Sequence, residues 1–223
     1  MRVSRRHAMT ILGVASSGLL SSPPAPAAAS PAGPRLDPGP PAYPAPARTR
    51  DVPITMGDGT RLYADVYRPA HADGQPVPGR FPVVLVQTPY NKNSPPEAFM
   101  SSVGDETIRH GYVQVVVDVR GTGSSEGVWE LFGPKEQGDY AETARWAVSQ
   151  PFSDGRLALY GLSYLAINQF LTAQRHPPGL RAIFPISSAE DLYRDLWRGG
   201  DVPYSVELTV LAVIIFVNIK LSV

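Results

Sequence analysis

The chain has 223 residues, 43% of them hydrophobic and 18% charged, and its formal charges cancel; that length supports one sizeable core and little more. The balance is uneven. Residues 1–50 hold six Arg against one Asp, and residues 51–223 hold 14 Lys and Arg against 19 Asp and Glu, so the part able to fold has no basic surplus of the kind nucleic acid requires. There is no cysteine, which excludes disulfides, thiolate metal sites, a cysteine nucleophile and a lipid-modified cysteine.

The N-terminus opens with a basic stretch carrying Arg5-Arg6, followed by an apolar run from Ala8 to Leu20 and small residues at Ala25-Pro26-Ala27 and Ala27-Ala28-Ala29. This is the layout of an export signal, with cleavage after Ala27 or Ala29. Ser4-Arg5-Arg6-His7-Ala8-Met9 resembles a twin-arginine signal, so residues 1–29 are read as a leader that engages the export machinery. The destination is then outside the cytoplasm, secreted or periplasmic. The apolar run is too short for a stable membrane span, which takes about 20 residues. Ten prolines between Pro23 and Pro46 cannot continue helices or join ladders, so residues 30–50 are expected to be an extended Pro/Ala-rich linker.

Order is expected from Asp51. Residues 52–69 read as two strands around Gly57-Asp58-Gly59, with Leu62, Ala64 and Val66 alternating against polar neighbours, which predicts an antiparallel hairpin. The runs 81–90 and 111–123 are continuously apolar at their centres, as strands buried on both faces are. Helix-like spacing lies between them, over 95–111. Residues 133–150 predict a helix, with Pro134 at its start and Tyr140, Ala144, Trp146 and Ala147 on its apolar side. A short strand over 155–161, a helix over 164–176 stopped by Pro177-Pro178, and a strand over 180–188 complete the pattern. The alternation predicts an α/β fold: a mostly parallel, doubly wound sheet with helices on both faces and the hairpin at one edge, occupying residues 51–189.

In such sheets chemistry sits at the carboxyl ends of strands. Ser163 follows a strand and opens a helix, the placement of a serine nucleophile on a tight turn, although Leu165 breaks the literal G-x-S-x-G pattern. There the Tyr164 backbone N–H would face a developing oxyanion, and the small Gly161 and Ala166 would let helix and strand approach. The plain alternative is a serine that caps the helix. Tyr90 ends a buried strand where a second oxyanion donor comes from in these sheets; the alternative is a packed aromatic in a loop. Asp118-Val119-Arg120-Gly121 and its following glycines lack the Lys and spacing of a phosphate loop, so Asp118 and Arg120 are read as holding a turn.

Four separated stretches together carry a resemblance: 56–69, Pro89-Tyr90-Asn91-Lys92, the run Asp118 to Gly127, and Gly161-Leu162-Ser163-Tyr164-Leu165-Ala166. They resemble the CocE/NonD hydrolases, the family of cocaine esterase, α-amino-acid ester hydrolases and Xaa-Pro dipeptidyl-peptidases, over about residues 50–200. The family pattern G-x-S-Y-x-G accepts Leu165 and differs only in having Gly where Ala166 stands. The resemblance implies an α/β-hydrolase fold, Ser163 as nucleophile, the Tyr164 N–H and the Tyr90 hydroxyl as oxyanion donors, and a small ester or short peptide as substrate. It implies no metal and no organic cofactor, and it leaves esterase and peptidase both open.

A serine nucleophile needs a base, and in this fold the order is Ser, then acid, then His. Of His7, His71, His110 and His176 only the last follows Ser163. It stands at the far end of the helix that Ser163 opens, about 20 Å away, and reads as a cation near a helix C-terminus. The expectation is therefore a hydrolase incomplete at its C-terminus, with six of the family's eight strands and with 190–223 as the start of a helical cap and an apolar tail. Leu208–Val217 has Thr209 as its one polar residue; a buried element or a changed reading frame would each produce it. The rival reading is a truncated, inactive fragment or a remnant that binds acyl ligands without turnover.

Overall fold

The computed structural model describes residues 37–93 and 103–188. The expected leader, the segment 94–102, the cap region and the apolar tail lie outside the described residues. In chain order the elements are β1 (Ala45–Thr55), β2 (Arg61–Ala70), β3 (Phe81–Thr88), α1 (Gly104–Arg109), β4 (Val113–Asp118), α2 (Pro134–Ser149), β5 (Ser153–Leu162), α3 (Tyr164–Ala173) and β6 (Leu180–Ile186).

One boundary differs from the sequence reading. β1 reaches back to Ala45, inside the stretch expected to be linker, and Ala45 and Pro46 pair with Ala70 and Pro69. Among the described residues β1 stands at the edge of the sheet, and an edge strand tolerates prolines because one row of its backbone groups needs no ladder partner. The register shifts between Thr49 and Val52, where Asp51 takes a left-handed φ of 52°. Of the helix expected over 95–111, the described part is α1 alone.

The six strands form one sheet in the order β1-β2-β4-β3-β5-β6. β1–β2 and β2–β4 are antiparallel; β4–β3, β3–β5 and β5–β6 are parallel. The crossover from β3 to β4 moves one way along the sheet, whereas those from β4 to β5 and from β5 to β6 move the other way. Right-handed crossovers then put α1 on one face and α2 and α3 on the opposite face. Every residue of β4 is buried, as are seven of the eight in β3, in keeping with their valine-rich runs. Tyr140, Ala144 and Ala147 of α2 turn inward.

The helical face also carries buried polar links. Gln87 at the end of β3 donates to Thr172 of α3 (3.1 Å) and accepts from Thr143 of α2 (2.5 Å), while Asn168 donates to the Gln87 carbonyl (2.7 Å). These side chains satisfy one another, so the layers are set in register without the cost of orphaned amides.

The crossovers leave β3 and β5 toward opposite sides, although the two strands are neighbours. That is the topological switch point, the place where open α/β sheets bind ligands, outside the carboxyl ends of the strands. Tyr90 follows β3 and Ser163 follows β5, so strand order alone brings the two segments together.

Candidate active site

Ser163 occupies the single residue between β5 and α3. Its backbone has φ 59° and ψ −117°, a region that non-glycine residues rarely enter and that costs on the order of 1–3 kcal/mol. The turn is held by β6 on one side and by α3 on the other. The Ser163 N–H donates to the Ile186 carbonyl at the end of β6 (2.9 Å), and the Ser163 carbonyl accepts from Ala166 (2.8 Å) and Ile167 (3.0 Å). The side chain makes no capping hydrogen bond and the residue is exposed, so the helix-capping alternative does not describe it. Its side chain instead lies beside the Tyr90 phenol and favours the ionised form of that phenol.

Gly161 and Ala166 flank this turn. A Cβ on Gly161 would lie 2.3 Å from the Leu165 Cβ, and Ala166 is fully buried; a larger residue at either place would force strand and helix apart. Tyr164 is the first residue of α3, so its N–H has no acceptor within the helix and lies at the positive end of the helix dipole. The Tyr164 side chain is buried and turned away from solvent. Its ring stacks on Phe132 at 4.0 Å between centroids and lies edge-on to Tyr90 at 6.4 Å. Its hydroxyl accepts from the Trp129 indole N–H (3.1 Å), lies 2.9 Å from the Tyr140 hydroxyl and donates to Glu136. Burial pushes the Glu136 carboxyl up to about 7, against the lowering effect of the Tyr140 hydroxyl.

Tyr90 is half-buried, and burial raises its phenol above the usual 10.0 while Ser163 pulls the other way. It therefore keeps its proton at neutral pH and remains a donor. Its loop is fastened at both ends. The Tyr90 N–H donates to Thr88 Oγ1 (3.0 Å) and the Lys92 N–H donates to Asp118 Oδ1 (2.6 Å).

Asp118 ends β4, Arg120 stands in the turn after it, and the two serve different partners. Asp118 accepts from the N–H groups of Lys92 and Ser124 and, through its carbonyl, from the Ser125 hydroxyl; burial pushes its carboxyl up to about 6. Arg120 donates to Asp139 of α2 and to Asp58 and Thr60 in the hairpin turn.

The described histidines are all elsewhere. His110 ends α1 and precedes β4, His176 follows α3 and precedes β6, and His71 follows β2, which runs antiparallel to β4. All three lie at the amino ends of the parallel strands, across the sheet from Ser163. Among the described residues no group of three or more His, Asp or Glu is arranged to hold a metal ion. Glu136, Trp129 and Phe132 escaped the sequence reading, and Tyr140 was read only as an apolar helix position, because only the fold gathers them around Tyr164. Lys92 was visible as the last residue of Pro89-Tyr90-Asn91-Lys92, but nothing in that spacing shows what its ammonium meets.

With this geometry in place, the similarities to known proteins acquire residues. The model of the X-Pro dipeptidyl-peptidase (S15) family matches residues 58–215. Cocaine esterase of Rhodococcus sp. strain MB1 Bresler is 39% identical over 163 residues, covering 70% of this chain and 26% of that protein. A solved CocE/NonD family hydrolase from Staphylococcus aureus is 30% identical with a TM-score of 0.58, covering 67% of this chain and 29% of that one. An aminopeptidase from a marine sediment Thaumarchaeota archaeon is 26% identical with a TM-score of 0.51, covering 75% and 29%. The chain thus spans about a quarter of the length of the curated relatives it matches.

Proposed function

The chain belongs to the X-Pro dipeptidyl-peptidase (S15) family, which together with the CocE/NonD hydrolases comprises serine esterases and peptidases, and from that premise we propose that it carries the nucleophile and oxyanion hole of an exported acyl hydrolase acting on an ester or peptide bond. The observation that carries this reading is an exposed Ser163 on a strained strand-to-helix turn, with the Tyr90 phenol beside it. Ser163 Oγ attacks the substrate carbonyl carbon and gives up its proton to a base. The carbonyl oxygen becomes an oxyanion that the Tyr164 N–H and the Tyr90 hydroxyl hold. Collapse expels the alcohol or amine, which takes the proton, and water then releases the acid from the acyl-Ser163 ester.

A second reading has its own support. The described histidines all lie across the sheet from Ser163, so none can accept its proton. On that reading the described site binds or traps an acyl group without turnover. One experiment separates the two. The chain is treated at pH 9, where hydroxide serves as base and the Tyr90 phenol stays protonated, with a fluorophosphonate, and adducts are located by peptide mass. We expect a slow adduct on Ser163, absent in Ser163→Ala and at least about tenfold slower in Tyr90→Phe. p-Nitrophenyl acetate should turn over barely above background at pH 7. A folded chain with no Ser163 adduct overturns the nucleophile assignment, and rapid turnover at pH 7 overturns the non-turnover reading.

Export rests on Arg5-Arg6 and the apolar run behind them. Replacing both arginines with lysine should stop passage of the folded chain through the twin-arginine route; unchanged secretion would refute it.

A further inference from the structure

Lys92 belongs to a motif next to the site, yet the reaction above gives it no task. Its side chain is fully buried, with Nζ 2.5 Å from Asp51 Oδ1, 3.1 Å from Ser124 Oγ, 3.6 Å from Asp65 Oδ1 and 3.7 Å from Asp118 Oδ2. Asp65 is shared with Arg48, whose Nε donates to it at 2.9 Å, and also accepts the Asp51 N–H at 3.0 Å. Burial opposes the ammonium charge, but the Asp51 hydrogen bond and the charges of Asp118, Asp65 and Asp51 outweigh it and hold Lys92 protonated. One ammonium thereby joins the bulge of β1, the middle of β2 and the turn after β4. Each of these rests on the sheet, so the anchor is rigid.

Tyr90 lies between this anchor and the end of β3. On the β3 side Thr88 accepts the Tyr90 N–H through its hydroxyl and the Val119 N–H through its carbonyl (2.9 Å). Between the two anchors Asn91 sits at φ 66°, a left-handed position in which Asn is tolerated, and its side chain accepts the Asn93 N–H (3.0 Å). A loop bent this tightly holds one shape only while both ends are fixed. An oxyanion donor displaced by about 1 Å loses much of its effect.

We propose that Lys92 is a positioning residue for the oxyanion hole: it fixes the Tyr90 hydroxyl against Ser163 by locking the loop 89–93 to β1, β2 and the turn after β4. This deepens the reading under which Tyr90 is an oxyanion donor and rests on it.

The test titrates the phenol by 19F NMR in the full chain carrying 3-fluorotyrosine at position 90, and follows the fluorophosphonate reaction at pH 9 in the chain with tyrosine there. Lys92→Met is the main variant. Asp51→Asn, which alters the nearest carboxylate from a half-exposed position, is the milder one should the first not fold. We expect the Tyr90 titration midpoint to fall by at least half a pH unit toward that of free fluorotyrosine in Lys92→Met and by less in Asp51→Asn, and Lys92→Arg to restore it. Labelling of Ser163 should drop about tenfold in Lys92→Met, and this drop should vanish in a Tyr90→Phe background. An unchanged midpoint in whichever variant folds overturns the proposal, and so does an equal drop in labelling when position 90 is Phe. If the unsubstituted chain is never labelled, the acyl-hydrolase reading fails, while the midpoint still decides whether Lys92 sets Tyr90.

Discussion

At Ser163 a backbone conformation that costs energy is held by its neighbours. The elbow exposes the hydroxyl only because Gly161 lets Leu165 fold back over the strand and because Ile186 accepts the Ser163 N–H. Space and backbone freedom can be separated by comparing two glycines. Gly155 has φ +88°, and a Cβ there would meet nothing within 4 Å, whereas a Cβ on Gly161, at φ +152°, would meet Leu165 at 2.3 Å. Gly155→Ala should therefore cost about 1–2 kcal/mol of backbone strain alone. Gly161→Ala should cost at least about 2 kcal/mol more, because a buried contact must give way. Urea unfolding of both variants measures the difference. Equal losses would mean that the elbow relaxes freely and that Ser163 is not held by tight packing.

Among elements, Arg120 ties together parts that the sheet hydrogen bonds do not join. Its Nε and Nη2 take both oxygens of Asp139 on α2 at 2.7 Å each, and its Nη1 reaches Asp58 and Thr60 in the β1–β2 turn at 2.8 Å. Burial raises the Asp139 carboxyl despite Arg120, and the surrounding acceptors hold the guanidinium protonated. A planar fork suits this geometry and a lysine does not. Arg120→Met should cost about 3–5 kcal/mol, because Asp139 is left buried and unpaired. Adding Asp139→Asn should recover part of that loss, since an amide tolerates burial where a carboxylate does not. Denaturation midpoints of the single and double variants test this; a double variant less stable than Arg120→Met would show that the cost lies in lost packing and not in the orphaned charge.

Across the molecule as a whole, three buried carboxyls among the described residues stand above their usual range, Glu136 at about 7, Asp118 at about 6 and Asp139, raised by its burial. The folded state therefore binds more protons than the unfolded chain between about 4.5 and about 7. Stability from Glu136 is full below the usual Glu value of 4.5 and declines as pH rises through about 7; the loss is on the order of 3 kcal/mol for a carboxyl this buried. Unfolding free energy should fall from pH 5 to pH 8, and Glu136→Gln should flatten most of that slope, leaving the part due to Asp118 and Asp139. A slope unaltered in Glu136→Gln would mean that Glu136 ionises in the fold at its ordinary value.

Local pattern was enough for the element types, the hairpin edge and the strand-to-helix placement of Ser163. Valine runs with no polar alternation leave only a doubly buried strand, and a serine between a strand and an amphipathic helix leaves few turns open. The resemblance over 50–200 added the family. The start of β1 could not be read, because proline excludes a residue from a central strand but not from an edge, and being at an edge is a property of the assembled sheet. The resemblance put Tyr90 and Ser163 at one oxyanion site, but local pattern could not say why they meet: β3 and β5 are neighbours with oppositely directed crossovers. Nor could it show the burial of Lys92 among Asp51, Asp65 and Asp118 and of Glu136 beneath Tyr164. In sequence these are ordinary surface residue types. Only long-range pairing removes their water, and that desolvation turns scattered charges into one anchored site.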